Sequence, residues 1–351
     1  MIVRSMAVAI GLLLATGVPA AAQQQSRKIE VPADKKWQHA ATGLIVPTAL
    51  AGLPRNEITD ASDREIDVSL QFGDSNTTHA TIFLFRPALM DVPVWFDRVE
   101  TQVLKGDTFG AAEPIGTPSG FALPGGTATS ALRRVYQPAH PPFRATGVAV
   151  LPLGQWLVVV RLSSAVLSPA ELDTKLSTVV AELGWPARKP NVPEAPAAAP
   201  VQPCATPLRY DPKAKMKKPD MAAGLLGATL AMMASKPPED GKKEEESAPA
   251  TFCRDGEGST ELGVYRALPA DSFAYTIAIA DAGNTISVYP DLLSDAKKPG
   301  YAVTLNTLER AYVFPAFDRL PEPVKVMDAL TKTRPISSTG RDGNEISIQA
   351  Q

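Results

Sequence analysis

Ile66-Asp67-Val68-Ser69-Leu70-Gln71-Phe72 alternates apolar and polar residues over seven positions, the two-residue period of a half-buried strand. Gly73-Asp74-Ser75-Asn76 follows with turn-forming residues. His79–Arg86 then resumes, with Ile82 and Leu84 on one face and Phe83 and Phe85 on the other. The two runs read as a hairpin whose second strand is covered on both faces.

Downstream, Asp91 stands where a helix N-cap belongs and Pro93 falls in the first turn, where a missing N–H costs nothing. Val92, Phe96, Val99 and Val103 recur at spacings of four, three and four, which marks one helical face. Lys105–Thr127 is rich in Gly and Pro without periodicity and reads as a long loop, of the kind that is a binding loop or a tolerated insertion. Strand patterns follow at Leu132–Gln137, Thr146–Leu151 and Trp156–Leu162. Ser168-Pro169-Ala170-Glu171 is a capping box, leading into the apolar stripe Leu172, Leu176, Val179, Val180 and Leu183, with Gly184 at the stop. Strands, helix, strands, helix over residues 36–186 predict an α+β domain with a mostly antiparallel sheet and packed helices.

Gly43-Leu44-Ile45-Val46-Pro47 entering the sheet, together with that element order, resembles the PsbP/Mog1-like α/β/α domains. Leu50-Ala51-Gly52-Leu53-Pro54-Arg55 is similar to a phrase in uncharacterised exported bacterial proteins. The resemblance covers roughly Trp37–Trp185 and implies an accessory or binding module. It carries over no catalytic residue.

Residues 187–203 turn to Pro, Ala and Val, an extended semi-rigid linker. Residues 204–252 combine a basic patch at Lys213–Lys218, the apolar run Met221–Ala234 and a mixed-charge tract at Lys236–Glu246, a composition expected to be partly disordered. The apolar run is shorter than the roughly 20 residues a bilayer span needs. It also lacks the polar face of an interfacial helix, so a helix packed on protein is favoured over membrane contact. Residues 253–351 read as a smaller α+β domain. Phe273, Tyr275, Ile277 and Ile279 alternate along one strand and Ile286 and Val288 along the next, joined at Asp281-Ala282-Gly283-Asn284. Tyr301–Leu305 is a third strand, and Val324, Met327 and Leu330 suggest a short helix.

At the start, Arg4, the apolar run Met6–Val18 and Ala20-Ala21-Ala22 form a secretory signal over residues 1–22, and localisation is expected to be periplasmic or secreted. In that setting Cys204 and Cys253, the two cysteines of the chain, are expected to form a disulfide. A formal net charge of −2 over 351 residues, with no basic face, argues against nucleic-acid binding.

Catalytic chemistry is hard to find. His39, His79 and His140 are the three histidines, and none has the i, i+3 or i, i+4 partner of a metal motif, so no metal or cofactor is expected. His79, opening a strand beside Asp74, reads as a base or as a solvated strand end. Ser119 in Gly116-Thr117-Pro118-Ser119-Gly120 is misplaced for a nucleophile elbow. Ser294-Asp295-Ala296-Lys297 lacks companion motifs, and Asp342-Gly343-Asn344 reads as a turn rather than a calcium loop. No catalytic residue is assigned. The expectation is a non-enzymatic periplasmic binding or accessory protein acting on a protein or envelope partner. The alternatives are a membrane-associated structural envelope protein using Met221–Ala234, and an enzyme of unrecognised type.

Overall fold

The computed structural model describes residues 26–188, 192–221, 224–227, 229, 251–270, 273–292, 294, 300–342 and 345–348. The signal segment 1–22 and the mixed-charge tract 236–246 lie outside the described residues. Two nine-stranded sheets, almost wholly antiparallel, make up the body of the protein. The expected α+β class is therefore corrected: the protein is mostly β. Its helices are short, chiefly α1 (Val92–Lys105), α2 (Pro169–Glu182) and a ten-residue helix Pro323–Lys332.

The expectation undercounted strands that lack alternation. Glu113–Phe121, taken for part of a loop, is an edge strand exposed along most of its length, so nothing selects apolar residues at every second position. Leu53–Asp60 buries only Leu53, Ile58 and Asp60. The smaller C-terminal α+β domain is likewise a nine-stranded sheet with one ten-residue helix against it.

In the first sheet, Leu53–Asp60, Asp67–Asp74 and Thr78–Phe85 meander from one edge to the centre. Helix α1 then carries the chain to the far edge. Glu113–Phe121, Ala131–Gln137, Ala145–Leu153 and Trp156–Ser164 meander back, so that the last pairs with Thr78–Phe85. The two central strands are therefore neighbours that lie about 80 residues apart in sequence, and both are apolar on both faces because each face is covered.

Helix α2 covers one face. Its Ser168 side chain accepts from the Glu171 N–H while the Glu171 carboxylate accepts from the Ser168 N–H at 2.8 Å. Leu172, Leu176, Val179 and Val180 pack on Leu70, Ile82, Val160 and their neighbours. Helix α1 covers the other face and is itself covered on its far side by the second sheet, in one apolar cluster holding Trp95, Phe96, Val99, Tyr265, Ala278 and Leu308. The layers run α2, first sheet, α1, second sheet.

The second sheet orders Gln202–Pro203, Phe252–Arg254, Leu262–Ala267, Tyr275–Ile279, Asn284–Pro290, Tyr301–Asn306, Arg310–Phe317, Ser337–Gly340 and Ile346–Ile348 side by side. Residues 208–216 and the helix Pro323–Lys332 close its outer face over Ile277, Ile286, Val288 and Phe314. A Cys204–Cys253 disulfide ties the residue after its first strand to the second, with the Cα atoms 4.9 Å apart. Of the apolar run 221–234, the described residues 221, 224–227 and 229 are helical. Gly224 and Gly227 there lie so close to Ile336 and Val313 that an added Cβ would stand 2.5 and 3.0 Å from their side chains. Among the described residues no helix is long and apolar enough to cross a membrane.

Candidate functional site

A cavity of about 420 Å³ opens where α1 leaves the first sheet and a turn of the second sheet comes down on it. Its floor is a ladder row. Thr59, Ser69, Phe83 and Val159 lie directly opposite one another on four adjacent strands, and the lining includes all four. Two residues along, on the same face, stand Asp67 and Phe85 at one end and Arg161 at the other. Val99 of α1 and the turn residues Asp281 and Ala282 form the roof, and Ser26 stands at the rim.

One end of the cavity and its roof are fixed by buried polar networks. Asp60 accepts from the Ser62 hydroxyl at 2.6 Å, from the Ser62 N–H at 2.9 Å and from the Glu65 N–H at 2.8 Å, winding residues 60–66 into a tight loop that delivers Asp67 to the sheet. Burial alone would push the Asp60 carboxyl up. These hydrogen bonds and Arg27, 3.6 Å away, outweigh it and hold it below the usual carboxylate range. On the roof, Arg98 donates to the Ala280 carbonyl at 2.7 Å and Ala88 N–H to the Gly283 carbonyl at 2.7 Å. Gly283 has φ +79°, and a Cβ there would meet Leu308 at 2.6 Å and Phe85 at 2.9 Å. Only glycine lets this turn settle on the sheet.

The turn brings Asp281 into an ion pair with Arg161, whose guanidinium lies 5.3 Å from the centre of the Phe83 ring. Burial lowers the Arg161 pKa to about 10. Asp67 is different. Among the described residues its carboxylate has no ion-pair or hydrogen-bond partner, and neither do the hydroxyls of Thr59 and Ser69 beside it. Burial, reinforced by the negative charge of Asp60, raises Asp67 to about 6. Among the described residues the cavity thus holds one neutralised cation and one carboxylate with no counter-charge.

That carboxylate destabilises the fold at neutral pH. With a pKa near 6 in the folded protein against about 4 unfolded, the folded state holds the proton more tightly, so stability falls as pH rises from about 4 to 6. Asp67→Asn is expected to stabilise the protein at pH 7.5 by about 1–2 kcal/mol, part of the full shift being screened at a partly exposed side chain. The gain should vanish below about pH 4. Urea unfolding at pH 7.5 and 3.5 checks both halves.

The residues singled out from sequence lie elsewhere. His39 is buried, with Nε2 2.8 Å from the Glu65 carbonyl and Nδ1 2.8 Å from the Thr42 hydroxyl. A carbonyl only accepts, so Nε2 carries the proton and Nδ1 accepts. Burial lowers its pKa, and the ring is expected to be neutral at pH 7 as the Nε2–H tautomer. The ¹⁵N shifts of the ring would show this, and an imidazolium at that pH would contradict it. His79 is half-buried against Phe143, with a buried Nδ1 that has no partner; burial lowers its pKa against the opposing influence of Asp74. It does not line the cavity. His140 is exposed beside Gly110.

Ser119 is exposed on the edge strand. The Ser294 hydroxyl donates to the Asp291 carbonyl, and Asp295, Ala296 and Lys297 lie outside the described residues. Asp342 pairs with Arg86 at 3.2 Å, while Gly343 and Asn344 are outside the described residues. Among the described residues no cluster of three or more His, Cys, Asp or Glu is placed to hold a metal.

The cavity residues were missed because each reads blandly alone. Asp67 is the polar phase of an alternating strand, and Asp281 a turn residue. Arg161, a charge inside the apolar run Trp156–Leu162, was the one available signal. Comparison of the chain with protein-family models, with curated proteins and with solved structures finds no match.

Proposed function

We propose that the protein is an exported, non-enzymatic binding or accessory protein of the bacterial envelope, periplasmic or secreted, that recognises a protein or envelope partner through the cavity between its sheets. The observation that carries this reading is the set of three polar groups without a partner among the described residues, Asp67, Thr59 and Ser69, on a floor tied at one end by the Asp60 network beneath a roof held by Arg98. Groups left free inside a pre-formed concavity are what recognition uses, since their partners arrive with the ligand. The secretory signal pattern and the Cys204–Cys253 bridge support an oxidising compartment.

The test is a photo-crosslinking side chain at Ala282, exposed in the turn that forms the roof, in the cells that make the protein. A discrete envelope adduct that is absent when the crosslinker sits at Thr174, exposed on the outer side of α2, is expected. No adduct, or the same adducts from both positions, would overturn the reading.

A further inference from the structure

We infer that the cavity receives a primary ammonium group carried on an aliphatic stem, with Asp67, Thr59 and Ser69 as its acceptors; this rests on the binding reading above. An ammonium brings three donors and no acceptor. The floor offers three acceptors that have no partner among the described residues. Asp67 and Ser69 are two apart on one strand face, and Thr59 is directly opposite Ser69.

Charge points the same way. Arg161 is already paired with Asp281, so Arg161, Asp281 and Asp67 together leave one negative charge in the cavity. Behind the floor, Asp60 is balanced by Arg27. From above, α1 presents only Val99 to the cavity. An anionic ligand would have to displace Asp281 and would leave Asp67 with a second unfavourable neighbour. A neutral one would leave the carboxylate uncompensated. An ammonium supplies the missing counter-charge in a charge-assisted hydrogen bond, while Val99, Val159 and Phe85 provide apolar wall for the methylene stem.

A free diamine and a lysine side chain of a partner share this chemistry. The probes are therefore 1,5-diaminopentane and acetyl-Gly-Lys-Gly-amide, with pentan-1-ol as the uncharged control, titrated into the ¹⁵N-labelled protein at pH 7.5. Saturable shifts of the Asp67, Ser69 and Ala282 amides are expected, with Kd on the order of 1 mM for so small a ligand. Saturation by the diamine alone would assign a small amine, and tighter binding of the peptide a lysine of a partner.

Asp67→Asn should weaken binding at least tenfold while its unfolding midpoint rises, a combination that damage to the fold does not produce. Thr59→Val and Ser69→Ala should each weaken it severalfold. With Asp67 ionising near pH 6, affinity should fall about tenfold between pH 7 and 5 as the carboxylate is protonated. No saturable shift with either probe, or equal binding by Asp67→Asn, would overturn the inference. A crosslinked adduct at Ala282 alongside such a result would leave the binding reading standing and remove only the ammonium.

Discussion

Arg98→Ala is expected to lower the unfolding free energy by about 3–5 kcal/mol, the cost of a large buried void lined by carbonyls that lose their donor. Arg98 is fully buried, on the side of α1 that faces the second sheet. Its guanidinium donates to the carbonyls of Ala280 at 2.7 Å, Ser259 at 2.7 Å and Thr260 at 3.1 Å. Truncation leaves the Ala280 and Ser259 carbonyls facing a void, each costing about 1–3 kcal/mol until water reaches it, while Gln102 Nε2 still donates to the Thr260 carbonyl at 2.6 Å. Glycines close the pocket around the guanidinium: a Cβ on Gly263 would stand 2.9 Å from Nη1, and one on Gly258 3.1 Å. Lysine cannot replace a fork that reaches three carbonyls, so Arg98→Lys should lose most of the same energy.

The neighbouring Asp97 accepts from Arg254 at 2.6 Å and from the Tyr265 hydroxyl at 2.5 Å, so the damage should concentrate where α1 meets the second sheet. Urea unfolding with amide exchange at residues 259–263 and 280–283 checks the prediction. A loss under about 1 kcal/mol would mean that the sheets hold together without this clamp. The clamp also bears on recognition. Arg98 grips Ala280, the residue before Asp281, so its removal should loosen the Arg161–Asp281 pair over the cavity.

Which parts of this arrangement can be read from the chain follows from how each residue meets its surroundings. The alternation of Ile66–Phe72 and the Ser168/Glu171 box are local signals, and the strand Asp67–Asp74 and helix α2 stand where they point. Glu113–Phe121 has no local signal because an edge strand exposed on its faces needs none. Asp97 and Arg98 are harder still. Two charges in a row on an amphipathic helix normally face water, and here residues of a second sheet more than 150 positions later cover them. The hint was that α1 carries Val94 and Trp95 outside its one apolar stripe, more apolar residues than a helix buried on a single side requires. The cavity shares this character. Its floor residue Asp67 and its roof residue Asp281 each belong to a legible element, but what makes them a site is their meeting across 214 positions of chain, and no window along the sequence contains both.

Breaking the disulfide is expected to cost about 2–4 kcal/mol. Cys204 and Cys253 are 49 residues apart, and closing a loop of that length restricts the unfolded chain by about 4 kcal/mol in the chain-entropy description. The folded side of the balance is local. Gln202–Pro203 pairs in parallel with Phe252–Arg254 over two residues, and Pro203 has no N–H to give. One further backbone bond, from Cys204 N–H to the Arg254 carbonyl at 2.9 Å, completes the ladder.

Beyond it, the buried Asp255–Arg266 pair holds the continuing chain: Arg266 donates to the Thr206 carbonyl at 2.6 Å and Asp255 accepts from the Leu208 N–H at 3.0 Å. These contacts keep residues 206–208 on the sheet when the bridge is open, so the loss should fall short of the full entropic figure. Cys204→Ala/Cys253→Ala and the reduced wild-type protein should show the same drop in urea midpoint, with exchange rising first at residues 252–254. If reductant leaves the midpoint unchanged, the Asp255–Arg266 network, rather than the covalent link, is what fixes the entry of the chain into the second sheet.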